Sequence, residues 1–101
     1  MEDGSKPRIG QIVKVLRGRD KGKYAIVIGV DDRFAYIVDG DKRKFDNPKK
    51  KNLLHIEPQN SISSEVVNSM RETGRVTNSK VRFALNRFLE QKLQDAQMKG
   101  E

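Results

Sequence analysis

The chain has 101 residues, of which 21 are Lys or Arg and 14 are Asp or Glu, so its formal net charge is +7. This length predicts one small domain, or one with an appendage. The absence of cysteine excludes a disulfide framework and thiol chemistry, and it favours the reducing cytoplasm. No apolar run approaches the ~20 residues of a membrane span. The positive charge points to a polyanionic partner, either a nucleic acid or an anionic membrane surface. The alternative is that the charge only keeps the protein soluble.

Two apolar, β-branched runs at residues 9–16 and 24–30 flank a short polar loop. We predict these runs as the first two strands. Gly18 and Gly22 can adopt φ above zero, so we expect the loop to turn sharply and to point its basic side chains at solvent. Those side chains are Arg17, Arg19, Lys21 and Lys23.

Three further strands are predicted at residues 33–38, 42–46 and 53–57. The pair Asp39-Gly40 predicts a two-residue hairpin between the third and the fourth strand. Pro58 is expected to end the fifth. About five short strands with tight turns in so short a segment are typical of a small, strongly bent barrel.

Beyond Pro58 the sequence changes from strand-like to helical. A polar linker, residues 59–64, ends in a candidate helix cap at Ser63 or Ser64, and Gly74 is placed to close a short helix. A second, amphipathic helix is predicted to run to about Ala96. We expect its apolar stripe to pack on the preceding helix or on the barrel, rather than in a partner's groove. The sequence thus divides into a barrel at 8–58 and a helical extension at 59–97.

A second group of basic residues lies in and after the predicted fourth strand. The intervening segment holds most of the nearby acidic residues, so charge is segregated along the chain. In a small barrel the two basic groups could merge into one face, which favours an electrostatic footprint for phosphates over uniform solvation. The second group comprises Lys42, Arg43, Lys44, Lys49, Lys50 and Lys51; the acidic residues are Asp31, Asp32, Asp39 and Asp41.

Other candidate chemistries are disfavoured by the residues themselves. Lys21-Gly22-Lys23 lacks the spacing and the following helix of a nucleotide-binding P-loop. His55 is the only histidine, without cysteines beside it, so no metal is expected. Asp31 and Asp32 would face opposite ways in a strand, which is poor geometry for paired acid–base work. We therefore predict no enzyme activity and no cofactor. Base stacking would need exposed aromatics; Tyr24 and Tyr36 are candidates, although packing is the favoured role of both.

The strand–loop–strand of residues 12–30, with Gly18 and Lys21-Gly22-Lys23, is similar to the KOW motif of ribosomal proteins and transcription elongation factors. The resemblance continues in order along the chain. Its segments are 18–24, Val38-Asp39-Gly40, Arg43-Lys44, Pro48 to Asn52, and His55. Together they resemble the archaeal and eukaryotic large-subunit ribosomal protein fourteen family, and the chain looks like a bacterial stand-alone relative.

This resemblance implies an SH3-like barrel whose basic loop contacts ribosomal RNA. We therefore expect a cytoplasmic, non-enzymatic, ribosome-associated protein that binds large-subunit RNA, with ribosomal proteins as further partners, and that is monomeric off the ribosome. The alternative is a transcription-linked module that docks on RNA polymerase, and a third option is an adaptor acting through the amphipathic helix. The predicted RNA-binding residues are Arg17, Gly18, Arg19, Lys21, Gly22, Lys23, Arg43, Lys44, Lys49, Lys50 and Lys51.

Overall fold

The computed structural model describes residues 6–99, with side chains from 6 to 96. It contains five strands, a short 3-10 turn at Leu53–His55 and two α-helices. The strands are β1 (Gln11–Val15), β2 (Tyr24–Val30), β3 (Phe34–Val38), β4 (Lys49–Asn52) and β5 (Ile56–Ile62), and the helices are α1 (Ser64–Thr73) and α2 (Asn78–Lys99). Neither helix is long and apolar enough to cross a membrane, within the described part of the chain.

The strands form one five-stranded sheet in the order β4-β3-β2-β1-β5, and every neighbouring pair is antiparallel. A mainly β fold followed by two helices is therefore confirmed. The sheet is not closed into a barrel within residues 6–99, because β4 and β5 remain its two edges. The closed SH3-like barrel expected from the sequence is thus not confirmed.

The side chains on one face of the sheet pack against one another and are buried. Irregularities of register between Gln11 and Val13 and between Val27 and Gly29 allow the strands to bend. The resulting curvature lets residues of four strands cover one another without an α-helix in this cluster. The buried cluster comprises Val13, Val15, Ala25, Val27, Ala35, Ile37 and Ile56.

The opposite face is covered by the two helices. Ile12, Ile26 and Val38 of the sheet share a buried cluster with helical residues. The first part of the amphipathic stripe of α2 therefore packs on the sheet and on α1, as its spacing predicts. Leu89 and Leu93, which continue the stripe, are exposed. The other members of this buried cluster are Val66 of α1, Val76 of the connection between the helices, and Val81, Ala84 and Leu85 of α2.

The prediction of a fourth strand at residues 42–46 is wrong. Residues 39–48 form a loop without strand structure, and β4 begins only at Lys49. The reason is local hydrogen bonding. One carboxylate oxygen of Asp39 accepts the N–H groups of Asp41 and Arg43 at 2.8 and 2.9 Å. The Arg43 carbonyl in turn accepts the N–H of Asp39 at 2.9 Å. These bonds replace the expected two-residue hairpin with a wider turn.

The fifth strand also lies later than predicted. Residues Leu53–His55 form the 3-10 turn, and β5 runs from Ile56 through Pro58 to Ile62. Pro58 does not end the strand, because β5 is an edge strand and a proline without an N–H is tolerated there. Most of the predicted linker is therefore sheet, and β5 crosses the predicted boundary between barrel and extension.

The ends of α1 match the sequence signals. The Ser63 hydroxyl accepts the N–H of Val66 at 3.2 Å and caps the first turn. Gly74 follows the last turn with φ of 73°, and its N–H donates to the Met70 carbonyl. Both caps that the sequence predicts for this helix are thus confirmed, with Ser63 rather than Ser64 as the N-cap.

Candidate nucleic-acid interface

The basic loop, Arg17–Lys23, joins β1 to β2 and is closed at its neck by backbone hydrogen bonds. The N–H of Val15 donates to the Lys23 carbonyl at 2.9 Å, and the N–H of Gly22 donates to the Val15 carbonyl at 2.8 Å. Two further bonds, Lys21 to Gly18 at 3.2 Å and Lys23 to Asp20 at 2.9 Å, form successive turns within the loop. The loop is therefore a compact, hydrogen-bonded projection from the sheet.

The two glycines of the basic loop adopt the conformations that the sequence predicts. Gly18 has φ of 95° and Gly22 has φ of 88°, a region that side-chain-bearing residues rarely adopt. A Cβ at Gly22 would meet no heavy atom within 4 Å. Glycine is needed at that position for backbone conformation alone, and the surrounding space is open to a ligand.

Lys51 of β4 reaches across to the basic loop. Its Nζ donates to the carbonyl oxygen of Arg17 at 2.7 Å and lies 2.8 Å from where a Cβ of Gly18 would stand. Because Lys51 pairs with Ala35 in the ladder, the sheet fixes where its side chain starts. The structure thus joins the first basic group to the second through a single side chain.

Four of the predicted cations line one small depression beside the loop, next to the apolar side chains of Val15 and Ile37. These cations are Lys23, Arg43, Lys49 and Lys51. Two carboxylates, Asp20 and Asp39, line the same depression. The segregation of charge along the sequence is therefore not preserved in space, although basic groups outnumber acidic ones around this concavity.

Lys50 does not join this group. It alternates with Lys49 and Lys51 along β4, and its Nζ lies 4.3 Å from the centre of the Phe34 ring on the other face of the sheet. Lys44 lies exposed in the loop between β3 and β4, and the structure gives it no side-chain hydrogen bond within the described residues. The predicted site therefore divides into a coherent group around the basic loop and two outlying lysines.

Most of these cations are free of ion pairs within residues 6–99. In the basic loop, Lys23 lies 3.8 Å from Asp20 with both side chains about half exposed. Such exposed pairs are weak and compete poorly with a phosphate. Arg17, Arg19 and Lys21 are exposed and form no ion pair in this part of the chain. No carboxylate of residues 6–99 therefore competes with an external anion for their charge.

Asp31 has a structural role. Its carboxylate accepts the N–H groups of Arg33 and Phe34 at 2.9 and 2.8 Å, and these bonds hold its pKa below the ordinary value of 3.8. It also accepts the Tyr36 hydroxyl at 3.2 Å, which raises the pKa of that phenol above 10.0. The carboxylate is engaged in closing the β2–β3 turn. Tyr24, the other tyrosine, packs edge-on against Phe88 at 5.1 Å between ring centres.

The loop of residues 39–48 is held by the start of α2, a contact that was not expected from the sequence. The side-chain oxygen of Asn78 accepts the N–H of Phe45 at 2.9 Å, and the guanidinium of Arg82 donates to the Gly40 carbonyl at 2.6 Å. No pattern in the sequence signals contacts over such separations.

Comparison with known proteins agrees with this geometry. The KOW motif matches residues 9–41, which include β1, the basic loop, β2 and β3. A Bacillus subtilis (strain 168) protein named "Putative ribosome-binding protein YbzG" is 42% identical to this chain over 71 residues. The match spans 96% of that protein and 69% of this chain, so nearly a third of the chain lies outside it. The motif and the near-complete coverage of this relative together show that the chain belongs to the family of KOW-motif proteins.

Proposed function

We propose that this protein binds ribosomal RNA of the large subunit and associates with the ribosome in the cytoplasm. The basic loop is the primary contact, and the cations beside it extend the contact surface. Two findings support the proposal: the match to the KOW motif and the similarity to a Bacillus protein whose name describes it as ribosome-binding. The protein acts by binding, without enzyme activity, and it is a monomer off the ribosome.

The proposed mechanism is recognition of the RNA backbone and shape. Phosphate contacts from Lys and Arg supply most of the affinity and fix orientation on a folded RNA. Double-stranded RNA hides its base edges in a deep, narrow groove, so shape and phosphates dominate its recognition. Arg17, Arg19 and Lys21 supply the exposed charges at the tip. Gly18 and Gly22 let the backbone approach the RNA closely, since nothing crowds the space around Gly22.

The observation that carries the proposal is the hydrogen bond between Lys51 and Arg17. It joins two basic groups that are far apart in sequence into one surface at a defined position. Lys23, Arg43 and Lys49 continue that surface around the adjoining depression. Several cations grouped around a loop that the sheet supports suit a phosphodiester chain better than a small ligand, because successive phosphates can be neutralised together.

Co-sedimentation with ribosomes tests the proposal. The full chain is run through a sucrose gradient with ribosomes and, in separate runs, with purified subunits and with RNA polymerase, at low and at high salt. We expect it to travel with the large subunit at low salt and to dissociate as salt rises. Co-sedimentation with RNA polymerase in place of the ribosome would contradict the proposal and favour a transcription-linked role.

A further inference from the structure

The second basic loop, residues 39–48, carries Lys42, Arg43 and Lys44 between two attachments to the start of α2. The first attachment is at Gly40, whose carbonyl accepts the Arg82 guanidinium at 2.6 Å. The second is at Phe45, whose N–H donates to the Asn78 side chain at 2.9 Å. The three cations therefore lie in a segment that is fixed at both sides by one helix.

Close packing reinforces the attachment at Gly40. Gly40 is buried with φ of 81°, and a Cβ there would stand 2.6 Å from the Asn78 carbonyl oxygen and 2.8 Å from Cγ of Arg82. The backbone of the second basic loop thus touches the helix directly. Only a glycine permits this approach, because both its φ and the space around it exclude a side chain.

Arg75, in the connection between the helices, holds the far end of the loop. Its guanidinium carbon lies 4.9 Å from the centre of the Phe45 ring, and one of its nitrogens lies 3.3 Å from the Asp46 carboxylate. The Phe45 ring itself packs against the core that the sheet shares with the helices. The helical extension therefore contacts the loop at Gly40, Phe45 and Asp46.

From these contacts we propose that the helical extension is a working part of the RNA interface. Asn78 and Arg82 are positioning residues: they hold the second basic loop so that Lys42, Arg43 and Lys44 meet the same RNA as the basic loop. Arg43 makes the connection, because it lines the depression that Lys23 and Lys51 also line. This inference rests on the proposed function and gives it a second contact surface.

Asn78→Ala is the decisive variant, since it removes the acceptor for the Phe45 N–H without changing any charge. Binding to deproteinised large-subunit ribosomal RNA is measured over about 50–200 mM salt, where each phosphate contact adds about 0.7–0.9 to the slope of log affinity against log salt. We expect the magnitude of the slope to fall by the amount that about one to two phosphate contacts supply. We also expect the amide hydrogen of Phe45 to exchange faster with solvent. A charge-neutral variant can lower the slope only by moving cations away from the RNA.

Ser63→Ala is the matched control. It also removes a side-chain acceptor for a backbone N–H, at the cap of α1, again without a change of charge. We expect it to lower stability while leaving the slope as in the wild type. A second readout is the double variant Asn78→Ala with Lys44→Ala: once the loop is released, loss of Lys44 should weaken binding less than it does in the wild type.

The outcomes separate the two proposals. If Asn78→Ala keeps the wild-type slope, or if Ser63→Ala loses as much slope, the inference is overturned while the basic loop remains the RNA contact. Unchanged exchange of the Phe45 amide in Asn78→Ala would also overturn it, because Asn78 would then not hold the loop. If the wild-type chain shows no salt-dependent binding, the proposed function itself fails, and this inference fails with it.

Discussion

The Nζ of Lys51 donates to the carbonyl oxygen of Arg17 across 34 positions of sequence, at 2.7 Å. Lys51 lies in β4, and the pairing of β4 with β3 places its Cα opposite that of Ala35. The ammonium group of Lys51 then contacts the backbone of Arg17, the first residue of the basic loop. One lysine thus both carries a charge within the proposed interface and binds the backbone of the basic loop.

Lys51→Met should therefore weaken RNA binding more than Lys44→Met. Both changes remove one positive charge, and each should lower the salt slope by about one contact if the lysine meets a phosphate. Lys51→Met also frees the Arg17 carbonyl and loosens the loop, whereas Lys44 makes no side-chain hydrogen bond within residues 6–99. Affinities for ribosomal RNA, measured by filter binding at two salt concentrations, check this. Equal losses for the two variants would show that the tie to Arg17 has no role in binding.

Gly22→Ala should lower the free energy of unfolding by about 1–2 kcal/mol, because alanine is strained at positive φ. No crowding adds to this, since a Cβ at Gly22 would meet nothing within 4 Å. Gly22→Asn should cost less, because asparagine tolerates positive φ better than alanine does. Urea denaturation of both variants measures the difference. If Gly22→Ala unfolds at the same midpoint urea concentration as the wild type, the φ of 88° at Gly22 does not require glycine.

Val81→Ala should destabilise the sheet and the helices together. Val81 is fully buried in the cluster that Ile26 and Val38 also form, so loss of its two methyl groups should cost about 2 kcal/mol. Leu93→Ala is the control, because Leu93 is 63% exposed and should change stability little. Helix content by circular dichroism and tyrosine fluorescence should report one common transition. Separate transitions would instead support two independent units, divided near residue 58.

Acid should remove the contribution of the Asp31 carboxylate charge to stability. The pKa of Asp31 is lowered in the folded chain. The contribution of its carboxylate to stability is therefore present above pH 3.8 and is lost as pH falls through the folded pKa. In Asp31→Asn the amide oxygen can still accept the two N–H groups but carries no charge. We expect the wild type to be more stable than Asp31→Asn at neutral pH and this difference to disappear in acid. A difference that does not change with pH would contradict the charge effect.

The same variant should lower the pKa of Tyr36. The Asp31 carboxylate accepts the Tyr36 hydroxyl and, together with desolvation, raises the pKa of that phenol above 10.0. The stability that the protonated Tyr36 hydroxyl contributes through this hydrogen bond is present below pH 10.0 and is lost as pH rises through the folded pKa. Ultraviolet titration of tyrosinate, with Tyr36→Phe to assign the signal, compares wild type and Asp31→Asn. An unchanged Tyr36 titration would show that the hydrogen bond is absent in solution.

The sequence predicts much of the fold because several signals are local. Alternating β-branched residues mark β1 to β3, Ser63 and Gly74 bound α1, and the stripe of α2 predicts its buried face. The errors arise where a local signal meets tertiary context. Asp39-Gly40 is typical of a tight hairpin, but Asp39 caps a wider turn. Pro58 usually ends a strand, but it lies in an edge strand where no N–H is missed.

The candidate site is only partly readable from the sequence. The basic loop and its two glycines follow directly from residue types and spacing. The Lys51 contact and the anchoring of Gly40 and Phe45 by α2 depend on long-range packing, which no spacing encodes. Lys50 also illustrates the limit, because a run of three lysines in a strand must place alternate members on opposite faces.

Charge reversal at the tip of the basic loop tests the central claim most directly. Arg19→Glu with Lys21→Glu should weaken binding to large-subunit ribosomal RNA by more than about tenfold, because two phosphate contacts become repulsive. Arg71→Glu with Arg87→Glu, on the exposed faces of the helices, makes the same change in net charge and should weaken binding much less. Circular dichroism should be unchanged in both. RNA affinity that survives reversal at Arg19 and Lys21, or that falls equally in the control, would contradict the loop as the RNA contact.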